Sequence, residues 1–351
     1  VTHATNAAVG SATPAETVAF AHATLFSPAL STLHTALAKG YLHNFPGLTA
    51  KSLRKYPPRS FAMIKGHLDQ VRQNVRSTKR TKAEPTNTSN DYFPIQADKP
   101  ERTHSCYLAD MEPTGQIYTD QTGRFPIQSS TGHNYIMVLY DYDSNAILTE
   151  PLRNRTAQEI LRGYKQLHQE LVTKGLRPQL QRLDNEASKI LKQFLTTENV
   201  TFQLVPPHVH RRNAAERAIQ TFKNHFFSVL HGCDPEFPAN QWDRLINQTV
   251  MTLNMVRPSR INPKLSAYNQ LWGIFNFEKT PMAPPGCKVV VHERPQERGT
   301  WADHGVTGFY IGPAMHHFRN YYCYIPTTRG ERVSNTVEFF PIHVDMPDTS
   351  S

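Results

Sequence analysis

The chain has 351 residues, a formal net charge of +9 and a pI of about 9.3. Its hydrophobic content of 38% permits about two packed domains, and its positive charge favours a polyanionic partner over a merely soluble surface. The four cysteines never approach CxxC spacing, which argues against a zinc knuckle or a disulfide framework and indicates reduced thiols in an intracellular protein. No apolar run is long enough to cross a membrane, and no signal peptide is visible. The first residue is Val1 rather than Met, which indicates a piece of a longer polyprotein.

The first segment predicts two short helices after a small, polar start. Pro14 to Phe26 and Pro28 to Leu42 have helical patterns, and in the second one leucines recur at helical spacing. Histidines lie in or near both helices, but no cysteine accompanies them, so we expect no zinc site. These histidines are His22, His34 and His43.

A strongly basic stretch follows between positions 51 and 82. It contains ten Lys or Arg residues and a single acid, Asp69, which favours contact with phosphates over a solvated helix face. The last three of its basic residues are Lys79, Arg80 and Lys82. Ser77 to Ser105 then mixes Thr, Asn, Lys and Pro with little apolar content, which is typical of a linker.

The centre of the chain predicts a mixed sheet between helices. Three strands come first as an antiparallel meander, and strands then alternate with amphipathic helices. The predicted strands are 116–120, 134–141, 146–152, 179–184 and 200–205, and the predicted helices are 156–174 and 187–197.

Three acids occupy matching positions in this pattern. Asp120 ends the first strand, Asp184 ends the fourth, and Glu216 opens the helix after the fifth. Sites in open α/β sheets gather at the carboxyl ends of strands, and converging carboxylates can hold two divalent ions such as Mg²⁺ about 4 Å apart. Each acid also has a simpler interpretation: the aspartates as turn formers, and Glu216 in a capping box with Asn213.

Cations surround the last of these acids. Arg211 and Arg212 precede Glu216, Arg217 follows it, and Lys223 lies two turns further along the predicted helix. Such an arrangement at a helix N-terminus suits a metal held near phosphate groups, and these four side chains are candidates to neutralise them.

The acids lie in segments that resemble the integrase core of copia-type LTR retrotransposons, in particular those of algal genomes. The segments are Asp120-Gln-Thr-Gly-Arg-Phe, Leu183-Asp-Asn-Glu186 and Pro206-Pro-His-Val-His-Arg-Arg-Asn-Ala-Ala-Glu-Arg217, together with Tyr140-Asp-Tyr-Asp-Ser-Asn-Ala-Ile147. The similarity covers roughly Lys65 to Pro341. It implies an α/β, RNase H-like fold with a mixed five-stranded sheet and an Asp-Asp-Glu triad of Asp120, Asp184 and Glu216.

The resemblance also implies a domain order. We expect a helical pre-integrase-like region with the basic segment at 1–76, a linker at 77–110, the catalytic core at 111–280, an SH3-like β module at 281–345 and a tail at 346–351. The pre-integrase region of the family usually has a His-His-Cys-Cys zinc site. The cysteines are missing here, so we predict no zinc.

Four short strands are predicted in the β module, at 287–292, 305–313, 321–327 and 332–341. Its side chains could contact DNA through phosphates and stacking, or the module could only brace the core. The candidate contacts are Arg294, Arg298, Trp301, His316, His317 and Arg319. A further helix at 240–256 includes Trp242, which we interpret as a core residue rather than a stacking platform for bases.

The resemblance implies a retrotransposon integrase that trims the 3′ ends of element DNA and joins them to host DNA. Mg²⁺ or Mn²⁺ in a two-metal site would be the cofactor, double-stranded DNA the partner, and a homo-oligomer the active state, in the nucleus after import from a cytoplasmic particle. Asn185 and His210 are further candidates to orient DNA or water. Alternatives are a ribonuclease or DDE transposase of the same fold, or a DNA-binding relic without catalysis.

Overall fold

The computed structural model describes residues 13–42, 44–68, 113–183, 188–204 and 214–342. All of them belong to one structural unit. The basic residues Lys79, Arg80 and Lys82 and the predicted linker lie outside the described residues, as does His43.

The centre of this unit is a mixed five-stranded sheet, as the sequence predicted. Its strands are β1 (Gln116–Gln121), β2 (Tyr135–Asp141), β3 (Ile147–Leu152), β4 (Leu180–Leu183) and β5 (Thr201–Leu204), in the order β3-β2-β1-β4-β5. The first three strands pair antiparallel, whereas β4 pairs parallel with both β1 and β5. This sheet with its flanking helices fits an RNase H-like core.

Helices cover both faces of the sheet. The sequence gives α5 (Ala157–Thr173) and α6 (Lys189–Thr197) clear starts, because the Thr156 and Ser188 side chains accept hydrogen bonds from backbone N–H groups in the first turns. Both helices pack on one face of the sheet, and α7 (Ala214–Gly232) packs on the other.

The alternation of β2 explains this division. Ile136 and Val138 point to the face that α7 covers, and Met137 and Leu139 point to the face that α5 covers. All four side chains are at most 3% exposed. Both faces of the central strands therefore require an apolar cover.

The N-terminal region is helical, with α1 (Pro14–Thr24), α2 (Leu30–Ala38), α3 (Ala50–Lys55) and α4 (Phe61–His67). The first two helices end earlier than predicted. Helix α4 crosses α7 at Gly66, where a Cβ atom would overlap the Ser228 Oγ and the Asn224 carbonyl oxygen. Only glycine permits so close an approach of the two helices.

The predicted helix at 240–256 is two elements: a 3₁₀ helix (Ala239–Leu245) leads directly into α8 (Ile246–Met255), and α9 (Ala267–Trp272) follows. The Trp242 side chain is fully buried, and its Nε1 donates a hydrogen bond to the Ile127 carbonyl at 2.9 Å. The ring stacks on Phe125, with 4.4 Å between ring centroids. Trp242 is thus a core residue, as predicted.

The C-terminal strands form a second five-stranded sheet, which is entirely antiparallel. The strands are β6 (Lys288–His292), β7 (Gly305–Pro313), β8 (Tyr321–Ile325), β9 (Gly330–Ser334) and β10 (Val337–Phe340), in the order β10-β6-β7-β8-β9. The strand predicted at 332–341 was wrong as a single element, because the chain leaves the strand at Asn335 and Thr336 and forms two strands. No pairing joins β9 to β10 among the described residues, and an SH3-like barrel stays a prediction.

Candidate active site

The first candidate acid, Asp120, is the next-to-last residue of β1. It pairs directly with Val138 of β2, and residues opposite each other in an antiparallel pair point to the same face. Asp120 therefore faces the side of the sheet that α7 covers. Its carboxylate is partly buried, and its Oδ1 accepts a hydrogen bond from the Gln121 N–H at 2.7 Å.

A cavity of about 370 Å³ opens at the carboxyl ends of β1 and β4. Asp120 and Leu183, the last residue of β4, both line it, with Ser188 at the start of α6. Asp184 is the next residue of the chain after Leu183, and it lies outside the described residues. The strand that precedes Asp184 thus ends at the same cavity as Asp120.

The third candidate acid, Glu216, lies in the first turn of α7 and is exposed. This helix packs through Ala218 and Phe222 against Tyr118 and Val138, on the face to which Asp120 also points. The alternative role of Glu216, a capping box, depends on Asn213, which lies outside the described residues. The helix that carries Glu216 therefore covers the face that carries Asp120.

Two arginines place positive charge at this end of the sheet. Arg155 lines the cavity, donates to the Thr122 carbonyl at 2.7 Å, and stacks 4.9 Å from the centroid of Tyr135. Arg182 lies two residues before Asp184 in the sequence, with its guanidinium 5.5 Å from the centroid of the Tyr118 ring. These cations would attract a phosphate group to the carboxyl ends of the strands.

Of the described residues that line this cavity, Asp120 supplies a carboxylate, the kind of oxygen ligand that Mg²⁺ prefers. Among the residues that the structure describes, no group of three His, Cys, Asp or Glu side chains could hold a metal ion. The predicted triad also includes Asp184, which lies outside the described residues. Asp120 and Glu216 are the described side chains that could take part in it.

Helix α7 also places two of the predicted phosphate contacts. Arg217 and Lys223 are both exposed, and Lys223 lies seven residues, about two turns, after Glu216 on the same side of the helix. The other predicted contacts in this region lie outside the described residues: Asn185, His210, Arg211 and Arg212.

The sequence analysis missed two arginines close to Arg217. Arg257 and Arg260 follow α8 and line a cavity of about 300 Å³ together with Arg217 of α7. Their signal in the sequence is only an arginine pair three positions apart around a proline. The spatial neighbour, Arg217, lies 40 positions earlier, so the cluster depends on tertiary packing.

The candidate DNA contacts of the C-terminal sheet lie mainly in loops. Trp301 is fully exposed, and Arg319 donates to the Glu278 carbonyl at 3.0 Å. His316 lines a groove between this sheet and the core, to which Gln248 also contributes. Neither interpretation of this module, DNA contact or bracing of the core, is decided by these positions, and both stay predictions.

No protein-family model matches the chain, and no curated protein matches it. Among solved structures, it is similar to the catalytic core domain of BIV integrase in crystal form I, with 14% identity and a TM-score of 0.33. The similarity covers 45% of this chain and 93% of that core. Within the described ranges, no helix has both the length and the apolar character needed to span a membrane.

Proposed function

We propose that this chain is the integrase of a copia-type LTR retrotransposon. The observation that supports the proposal is where the three acids fall relative to the described elements. Asp120 is the next-to-last residue of β1, Asp184 is the next residue in the sequence after β4, and Glu216 lies in the first turn of the helix on the face to which Asp120 points. Three carboxylates from these elements are suited to metal-assisted phosphoryl transfer.

The proposed reaction has two steps on DNA. In the first, a water oxygen attacks a phosphodiester near the 3′ end of the element and forms a new P–O bond. The P–O bond to the 3′ oxygen breaks, the element strand keeps that oxygen as a 3′ hydroxyl, and the released nucleotides carry the 5′ phosphate. In the second, the new 3′ hydroxyl attacks a phosphodiester of host DNA, and one P–O bond forms as another breaks. Each step breaks one P–O bond and forms another, so neither needs an oxidant or a reductant.

The residues of this chain divide the work. Asp120, Asp184 and Glu216 would hold Mg²⁺ or Mn²⁺, which supplies positive charge to the attacking and leaving oxygens when bound. Arg155 and Lys223 lie where they can attract the phosphate backbone. Because Asp120 is partly buried, water screens the attraction between its carboxylate and a metal ion less than it would at an exposed position.

The direct test is a strand-transfer assay. A labelled duplex with the terminal sequence of the element is incubated with the protein, plasmid DNA and Mg²⁺ or Mn²⁺. We expect joined products that chelator abolishes. Asp120→Asn should abolish them, whereas Asp303→Asn, at an exposed position of the C-terminal sheet region, should retain them.

Each alternative has its own outcome in that assay. Metal-dependent cutting of RNA–DNA hybrids without joining would favour a ribonuclease. Binding of duplex DNA without joined products in either metal would contradict the proposal and favour a relic. Equal activity of Asp120→Asn and wild type would show that the carboxylate is not part of the site.

A further inference from the structure

A second polar cavity lies beside the start of α7 and is distinct from the cavity at Asp120. It is lined by the end of β2 and the turn that follows, by one side of α7, and by the segment after α8. The lining residues are Tyr140, Tyr142, Asn145, Arg217, Ala218, Thr221, Arg257 and Arg260. Three of the eight are arginines, and none is an acid.

Arg257 is the fixed cation of this cavity. Its Nε donates to the Asn145 carbonyl at 2.9 Å, and its Nη2 donates to the Asn145 Oδ1 at 2.7 Å. Tyr140 donates to the same Oδ1 at 2.9 Å. Burial lowers the pKa of Arg257 to about 10, so the guanidinium is still charged at neutral pH. Its hydrogen-bond acceptors in this network are neutral.

Arg260 brings a second guanidinium to the same place. Its central carbon lies 3.9 Å from the centroid of the Tyr142 ring and 5.8 Å from that of Tyr140. The Arg257 guanidinium lies 6.0 Å from the centroid of the same Tyr140 ring. Two like charges thus share one aromatic neighbour, and Arg217 adds a third from α7.

The acids of the neighbouring turn have other partners. Asp141 accepts hydrogen bonds from the Ser144 N–H at 2.7 Å and the Ser144 hydroxyl at 2.5 Å. Asp143 accepts from the Thr114 hydroxyl at 2.8 Å and the Gly115 N–H at 2.7 Å. Both side chains are buried and neither lines the cavity. Asp141 also interacts electrostatically with Arg260, whose side chain is exposed.

Among the described residues, three guanidinium groups line this cavity and no carboxylate does, which favours an anionic ligand. Desolvation and mutual repulsion oppose the cluster in the free protein, and an anion between the groups would offset both. Guanidinium groups bind phosphate oxygens with paired N–H donors. Because Arg260 and Arg217 are exposed, the cavity opens to the surface and could admit a chain that continues on either side.

We infer that this cavity seats a phosphodiester of a nucleic acid strand, held by Arg257, Arg260 and Arg217. Arg217 directly follows Glu216 on α7, so a strand seated here passes next to a candidate catalytic carboxylate. The inference rests on the proposed function for the identity of the nucleic acid, which would be DNA. Its three arginines are positioning residues, which place the substrate without touching the reacting atoms.

The test measures DNA binding in chelator, where no reaction occurs. Affinity for a short fluorescein-labelled duplex is followed over a series of salt concentrations for wild type, Arg260→Gln and the control Arg177→Gln. Arg177 is exposed, precedes β4 and does not line the cavity, and its change to Gln removes the same charge. We expect Arg260→Gln to weaken binding and to reduce the slope of log affinity against log salt by about 1. The control should change the slope far less.

A second variant separates charge from geometry. Arg260→Lys keeps the charge and loses the paired donors, so its affinity should lie between those of wild type and Arg260→Gln. Since Arg260 is exposed, both variants should fold, and thermal unfolding checks this. Equal affinities and slopes for Arg260→Gln and Arg177→Gln would overturn the inference.

Inorganic phosphate distinguishes a strand from a free anion. We expect the duplex to raise the melting temperature of wild type more than of Arg260→Gln, and inorganic phosphate at the same phosphate concentration to raise neither. Stabilisation of wild type by phosphate as large as that by DNA would contradict a seat for a strand. If wild type lacks strand transfer but Arg260→Gln shows the reduced slope, the seat stands and the integrase proposal fails; the opposite result leaves the integrase proposal intact.

Discussion

The two faces of the core sheet differ in what they contact. The α5 and α6 face forms an apolar layer in which Met137 and Leu139 pack on Tyr164 and Leu167, with Val250 and Trp272 packed against it. The opposite face carries Asp120 and is covered by α7, and α7 in turn contacts the N-terminal helices and the layer that includes Phe309 of the second sheet.

This difference shows how the candidate site is supported. One face stabilises the sheet, whereas the other holds the helix of Glu216 between the sheet and the rest of the molecule. Changes beside α7 should therefore affect the site as well as the stability of the fold. Three perturbations of the residues packed around α7 test the stability of this packing.

The largest loss of stability from a single substitution is expected at Trp242. Its ring is fully buried against Phe125 and Phe226, so Trp242→Ala removes a large apolar side chain and leaves a cavity. We expect a loss of about 3–5 kcal/mol in the free energy of unfolding. Urea denaturation gives this value, and Trp301→Ala is the matched control, since Trp301 is fully exposed and should change stability by about 0.5 kcal/mol or less. Similar losses in both variants would contradict this packing.

Acid should weaken the contact between α7 and the N-terminal helices. Burial lowers the pKa of His22 to about 4 and that of His225 to about 3, and the rings of His225 and His67 lie 6.3 Å apart. The unfolded chain therefore binds more protons below its ordinary histidine pKa of about 6.5, and stability falls as pH decreases from there. By pH ~4 the loss should approach about 3 kcal/mol for each histidine.

Denaturation at a series of pH values measures this dependence. His22→Gln removes one titrating group and should make the pH dependence of stability shallower. The variant should still fold, because its amide can donate to the Pro28 carbonyl that His22 contacts at 2.9 Å. His304→Gln, at an exposed position, should leave the pH dependence unchanged. Equal stability of wild type at neutral pH and near pH ~5 would show that these histidines are not held neutral by the fold.

A smaller loss is expected from Gly66→Ala. The added methyl group would overlap Ser228 and Asn224 of α7, so α4 must move away from α7 at a cost of about 1–3 kcal/mol. Gly123→Ala is the control, because nothing lies within 4 Å of a Cβ there. If both variants unfold at the same urea concentration as wild type, α4 does not cross α7 as closely as described.

The sequence predicted the core sheet well for a physical reason. Strand alternation and helix caps are local signals, and they placed β1, β4 and α5 within a residue or two of their ends. The positions of Asp120 and Glu216 followed from those elements. The sequence could therefore assign these two acids to their strand and helix, and their role in a site stays a prediction.

Features that depend on contacts between distant segments were not predicted. The approach of α4 to α7 at Gly66 and the meeting of Arg217 with Arg257 and Arg260 join residues far apart in the chain. The division of the predicted helix at 240–256 was also missed, because its first turns are 3₁₀ around the buried Trp242. No local pattern carries such information.

Glu216 is proposed to act in phosphoryl transfer rather than as a helix cap, and one paired measurement tests this role. Strand transfer, and DNA affinity in chelator, are measured for wild type, Glu216→Gln and the control Glu278→Gln, which is also exposed. The amide should support the helix start at a cost of about 1 kcal/mol or less. It removes a charge that holds the metal, and each 1.36 kcal/mol lost from the transition state is about tenfold in rate.

We predict that Glu216→Gln lowers strand transfer by orders of magnitude, because metal assistance contributes several kcal/mol. Its DNA affinity in chelator should stay level or rise slightly, since a carboxylate no longer repels phosphate, and Glu278→Gln should match wild type in both measurements. Strand transfer by Glu216→Gln close to that of an active wild type would contradict the assignment of Glu216 to the site.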